Sequence, residues 1–198
     1  MSKWENYKRV AQGCFSLLSY ITSRPICSRA VTMAVACGSY ITLTATESGE
    51  MYSFGSNGIH FGQAWMRRRD TIEPMYDPNF GSEKVAMVAA CGGNRAVVTQ
   101  QGSLWTWGRV DGIGHSIPGR IGSDYFGDTV VMASCGSMSI IVLTSSGRVW
   151  TCGKNDRWTP PHPDTFRLVH PNCFNNRKLV MVASGSMHKM AVDEDGML

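Results

Sequence analysis

The chain of 198 residues is long enough for one domain with its own core, or for several small repeats that share one. A hydrophobic fraction of 43% excludes a largely disordered protein, and a formal charge of +4 is too small to imply nucleic acid by itself. The longest apolar stretches, such as Val31–Cys37 and Ile140–Leu143, are strand-length, so no membrane span is expected.

In chain order, Met1–Arg9 is polar and charged and reads as no secretory signal, and Cys14–Ile21 reads as a short core segment. Residues 1–24 therefore form a separate N-terminal segment, either the remnant of a preceding blade or a closing strand. Four similar units come next, near 31–55, 85–108, 130–153 and 179–198. Each opens on an apolar run closing in Gly: VTMAVACG, VAMVAACG, VVMASCG and LVMVASG. These anchor glycines are Gly38, Gly92, Gly136 and Gly185, separated by 54, 44 and 49 residues. A second glycine follows at Gly49, Gly102, Gly147 and Gly196, 11, 10, 11 and 11 residues later. A third stands six residues further on, at Gly55, Gly108 and Gly153, inside MYSFG, LWTWG and VWTCG.

Each unit reads as an apolar strand, a tight turn at the anchor glycine with φ > 0, and a second strand. The second strands are Ile41–Ala45, Ala96–Thr99, Ile140–Thr144 and Lys189–Val192. A polar hairpin tip then leads into a third strand, Met51–Phe54 or Val149–Thr151. Two or three strands cannot bury both faces, so the units must stack. Radially stacked antiparallel sheets make an all-β propeller, here three full blades and an incomplete fourth.

These residues resemble the regulator-of-chromosome-condensation repeat, a pattern running V-x-x-V-A-C-G-x-x-H-x-x-A-L-T-x-D-G-x-V-Y-x-W-G-x-N-x-x-G-Q. The resemblance covers residues 25–198, and GSMSIIVLTSSGRVWTCG (Gly136 to Gly153) follows it almost position by position. Pro74 and Pro118 recur as linker prolines, each 18 residues before its anchor glycine. The family histidine survives only as His188, where the other copies have Ile41, Arg95 and Ser139. Family propellers resemble seven-bladed rings, which leaves three readings of this chain. It is a fragment, or an open propeller to which 1–24 lends a closing strand, or one whose edges partner chains cover.

No metal or cofactor motif is found. Cys37, Cys91 and Cys135 each precede an anchor glycine and read as equivalent core residues. With an odd total of seven cysteines, the expectation is a reduced intracellular protein, cytoplasmic or nuclear. The five histidines share no ligand spacing, and no serine sits in a nucleophile elbow. No enzyme is expected.

The sharpest local feature is Arg67-Arg68-Arg69 beside Trp65, in a long loop Ser56–Lys84. Arg next to Trp is hot-spot chemistry at protein interfaces, and the run could also reach phosphates of nucleic acid or lipid, although a solvated loop pairing with Asp70 and Glu73 is the plainer reading. A second long loop, Lys154–Lys178, carries Trp158 and Phe166 among prolines, and is either a binding element or a packed cover over a blade edge. The expected function is a non-enzymatic scaffold presenting these loops to a protein partner. The resemblance alone implies an alternative, nucleotide exchange on a small GTPase with docking on chromatin. A truncated, non-functional copy is a third reading.

Overall fold

The computed structural model describes residues 32–39, 41–55, 69–74, 82–110, 113–153 and 165–197. Each repeated unit is a small antiparallel sheet. The first runs β1 (Thr32–Cys37), β2 (Ile41–Thr46), β3 (Met51–Gly55) and β4 (Arg69–Pro74), in that spatial order. The second is β5 (Val85–Cys91), β6 (Asn94–Thr99), β7 (Leu104–Val110) and β8 (Ile113–Ile121). The third is β9 (Val130–Cys135), β10 (Ser139–Thr144), β11 (Val149–Gly153) and β12 (Arg167–Leu168). A two-stranded sheet, β13 (Leu179–Ser184) with β14 (Lys189–Asp193), comes last. The expected all-β architecture of three full blades and a partial fourth is what the chain adopts.

The fourth strands were not legible as strands. Segments read as continuous loops, 56–84 and 154–178, each contain one. Arg69–Pro74 is mostly polar, because an outermost strand has a neighbour on one side only. The recurring prolines belong to these outer strands. Pro74 ends β4 opposite Tyr52, and Pro118 falls where the β7–β8 register shifts between Thr106 and Gly108. Outer-edge strands and bulges tolerate the missing amide.

Alternation along the second strands builds the core between blades. Ile41, Leu43 and Ala45 of β2 pack with Val85, Val88, Val97, Trp105 and Trp107 of the second blade. Ala96 and Val98 of β6 meet Ile140 and Val142 of β10. Ile141 and Leu143, on the other face of β10, meet Leu179 and Val182 of β13. Each such buried aliphatic side chain contributes about 1.5–3 kcal/mol relative to exposure. Backbone bonds fasten the same seams: the Val85 amide donates to Gly49 O at 3.0 Å, and the Val130 amide to Gly102 O at 3.0 Å.

The expectation of φ > 0 at the anchor glycines holds only at Gly92, with φ 56°; Gly38, Gly136 and Gly185 lie outside that region. The second copy, one residue shorter, pairs Cys91 directly with Asn94 and turns on Gly92-Gly93 alone. A turn that short needs a left-handed residue. Elsewhere the requirement is space. A Cβ on Gly136 would stand 2.5 Å from Gly185 O of the next blade. The shortened turn also shifts a correspondence. Asn94, not Arg95, occupies the position of Ile41 and Ser139, and its Nδ2 donates to Gly136 O (2.9 Å) and Ser137 O (3.1 Å) across the seam.

Two short turns precede the inner strands. A helical turn α1 (Ser123–Phe126) ends on Gly127 at φ 64°, and a 3-10 turn (Pro171–Phe174) ends on Asn175 at φ 53°. Phe126, 2% exposed, meets the rings of Tyr125, Trp150 and Phe166 at centroid distances of 5.1, 5.4 and 5.6 Å.

Among the described residues no disulfide joins Cys37, Cys91, Cys135, Cys152 or Cys173. Cys135 and Cys152 are buried, Cys37 and Cys91 half-buried, and Cys173 exposed. Burial pushes the Cys135 thiol well above the usual range, with Cys152 and Cys91 adding to it. The thiolate is the reactive form. In native protein a thiol reagent should label Cys173 first and Cys135 only on unfolding, as peptide mass mapping would show. Equal labelling rates at the two would contradict this packing.

Candidate interaction face

Each blade has two ends. At the turn end lie the anchor glycines and the last residues of the third strands, since Ile41 pairs with Gly55 and Ser139 with Gly153. At the tip end lie the hairpins around Gly49, Gly102, Gly147 and Gly196, all near φ 80–84°.

The tip end is spent on its own folding. Thr46 and Thr99 hydroxyls accept from the amides of Glu50 and Ser103, both at 3.1 Å. In the fourth unit Asp193 takes that place, its Oδ1 accepting from the Met197 amide at 2.8 Å and the Asp195 amide at 3.0 Å. Arg177 bridges Asp193 and Asp195 at 2.8 and 2.9 Å. Burial pulls the Asp193 carboxyl upward, but the Arg177 hydrogen bond, the amides and the Arg177 charge outweigh it and hold the carboxyl below its ordinary value. At Asp128 burial likewise loses to hydrogen bonds from Ser145, Ser146 and the Thr129 amide, which keep it strongly acidic. Glu83 is held low in the same way, against burial, by Thr99, Arg120 and Trp105, with Arg120 Nε 2.8 Å away.

The turn end holds a buried cation. Arg95 is 0% exposed; its Nη1 donates to Gly93 O at 2.7 Å, while Nε and Nη2 have no hydrogen-bond partner. Burial lowers its pKa to about 10, the nearby Cys135 acting the other way, so it remains a cation at neutral pH. Around it the loops of successive blades touch: Ser137 Oγ lies 3.1 Å from Ser186 Oγ and 3.9 Å from Cys91 Sγ. No cluster of three or more His, Cys, Asp or Glu fit to hold a metal occurs among the described residues.

The segment with Trp65, Arg67 and Arg68 leaves from Gly55 and re-enters at Arg69, which opens β4 opposite Gly55. Both of its roots therefore stand at the turn end. Trp65, Arg67, Arg68 and Trp158 lie outside the described residues, and of Arg69 only the backbone is described. Phe166 is a correction to the sequence expectation. It is 7% exposed and packs on Phe126 in the core between the second and third blades, so its ring serves as the cover over a blade edge and not as a surface contact. Asn94, Arg95 and Phe126 were missed as seam residues. The pattern hides them because the shortened turn disguises the first two and α1 lies outside the glycine register.

Sheets of this kind, stacked face to face along their inner strands, define a β-propeller, here an open one. No protein-family model matches the chain. It is 32% identical to human E3 ubiquitin-protein ligase HERC2 over 81% of its own length and 4% of that protein. It is 22% identical to the Arabidopsis thaliana RCC1 domain-containing protein RUG3, mitochondrial, over 82% of the chain and 40% of that protein. Among solved structures, yeast RCC1 (Prp20) bound to Kap60 superposes with a TM-score of 0.65 at 18% identity, covering 83% of this chain and 42% of that one. The chain belongs to the regulator-of-chromosome-condensation (RCC1) repeat family. It spans less than half the length of each of these relatives. Among the described residues no helix is long and apolar enough to cross a membrane.

Proposed function

We propose that this chain is a non-enzymatic interaction module: an arc of rigid blades that holds Trp65 and Arg67–Arg69 out to a protein partner. The observation that carries it is the rooting of residues 56–68. Both ends of that segment are fixed by the β3–β4 ladder at the turn end, while the second strands of the blades bury their side chains in seams. A rigid root lowers the entropy lost when the segment docks. An intracellular setting, cytoplasmic or nuclear, fits the free thiols of the described cysteines. Exchange-factor-like regulation of a small GTPase rests on family membership alone, and no described residue supplies a wedge for it.

The test is the double substitution Trp65→Ala with Arg68→Ala. The melting temperature should hardly change, since exposed substitutions seldom exceed about 0.5 kcal/mol. Partner binding should weaken by about 2 kcal/mol or more, as at hot-spot residues. Full binding by the double variant would remove this loop from the function. A large fall in melting temperature would make Trp65 a core residue.

A further inference from the structure

Arg95 stands where the blades on either side place an uncharged residue. It pairs with Trp107 of its third strand, as Thr42 pairs with Phe54 and Ile140 with Cys152. The blade plan therefore asks for no cation there. Arg95 comes two residues before Val97, so strand alternation gives it the face of β6 turned to the first blade. It is 0% exposed.

The charge has no answer within the protein. Among the described residues no carboxylate pairs with the guanidinium, and burial holds its ionisable neighbour Cys135 in the neutral thiol form. A buried lysine or histidine can escape by releasing its proton. The Arg95 guanidinium, lowered only to about 10, stays charged at neutral pH. A buried charge without a counter-charge is strongly unfavourable.

The hydrogen bonds divide the guanidinium in a way that names the missing partner. Nη1 donates to Gly93 O at 2.7 Å. Nε and Nη2 have no hydrogen-bond partner, and together they make one edge of the planar group, with N–H bonds side by side. That edge is the fork that grips both oxygens of a carboxylate through parallel bonds.

We infer that Arg95 is an internal oxyanion site, whose Nε–Nη2 edge holds a small planar monoanion of the carboxylate class, such as formate or acetate, in the seam between the first and second blades. One negative charge balances the one cation, whereas a dianion such as phosphate would bury a surplus. Full burial selects a free ion over an acidic side chain of a partner, which carries its own backbone and would have to part the blades. The bound ion satisfies both donors and makes the stability of this seam depend on its concentration. The site is independent of the loop reading above.

The experiment uses the full chain with nitrogen-15 in its arginine side chains. The probe is sodium formate, compared with sodium chloride and sodium phosphate at equal ionic strength. Formate should move the Arg95 Nε–H signal along a saturable curve and raise the melting temperature, as expected for a ligand of the folded state. Arg95→Ile, which installs the residue of the third blade, identifies the signal by its loss and should abolish the formate effect on melting. Arg95→Thr, after Thr42 of the first blade, serves the same purpose if the isoleucine variant does not fold. Arg95→Lys keeps a cation but lacks the fork, and should bind formate about tenfold more weakly or worse. An unmoved Arg95 signal overturns the inference. So does an equal response to chloride or phosphate, or a formate effect on melting that survives in Arg95→Ile or Arg95→Thr. Undiminished binding by Arg95→Lys would overturn the fork as the recognising element.

Discussion

Gly153→Val should cost about 3 kcal/mol or more, combining left-handed strain of about 1–3 kcal/mol with overpacking of similar size. Gly153 has φ 115°, and a Cβ there would stand 2.1 Å from Met138 O and 2.6 Å from Ser139 Cα. Both are backbone atoms at the start of β10, so the neighbour cannot rotate away. Gly196 is the internal control. Its φ is 81° but its Cβ would meet open space, so Gly196→Val carries the dihedral strain without the collision. Denaturant unfolding of both variants separates the two costs. Equal losses at Gly153 and Gly196 would show that close approach at the turn end is not what demands glycine.

The second large effect is expected at Phe126. Deleting its ring by Phe126→Ala removes the shared contact of Tyr125, Trp150 and Phe166 and should cost about 3–5 kcal/mol. Tyr125→Phe gives the scale for comparison, because it removes only the hydroxyl that donates to Phe166 O at 2.8 Å. That change should cost about 1 kcal/mol, the net value of one hydrogen bond. A Phe126→Ala loss no larger than that of Tyr125→Phe would mean the cluster closes over the gap. It would also demote α1 from the seam between the second and third blades.

These two residues mark where the sequence was transparent and where it was not. Tip glycines near φ 80° recur because a hairpin turn cannot avoid them, and a fixed count of residues between turns survives in the sequence. That register was enough to place the first three strands of the three full units and both strands of the fourth. The outer strands escaped because their only demand is a backbone ladder on one side, which Arg69–Pro74 meets with polar residues. Phe126 escaped because it is reached through a helical turn whose length is unrelated to the glycine spacing. The anchor glycines were recognised for a reason that applies only at Gly92; at Gly136 the cause is the approach of the next blade, which no local pattern records. Phe166 shows the same limit. A proline-rich loop with aromatics reads alike whether its ring faces solvent or closes a core.

The described seams join neighbouring blades: a tip carbonyl accepts from the next inner strand in the first two, Met132 and Ser134 accept from the amides of Val182 and Ser184 in the third, and in all three one face of a second strand packs against the next sheet. Interactions of that form couple nearest neighbours and nothing further, so the arc behaves as a short linear array in which stability is a sum of unit and junction energies. Among the described residues the two-stranded last blade shares a junction with the third blade alone, and its Met190 is 43% exposed where the equivalent Ile141 is 3%. Opening there costs a single junction, whereas freeing the second or third blade breaks two. Amide exchange in this chain should therefore follow a gradient, quickest in Lys189–Asp193 and slowest in β6 and β10, the strands enclosed by seams on both faces.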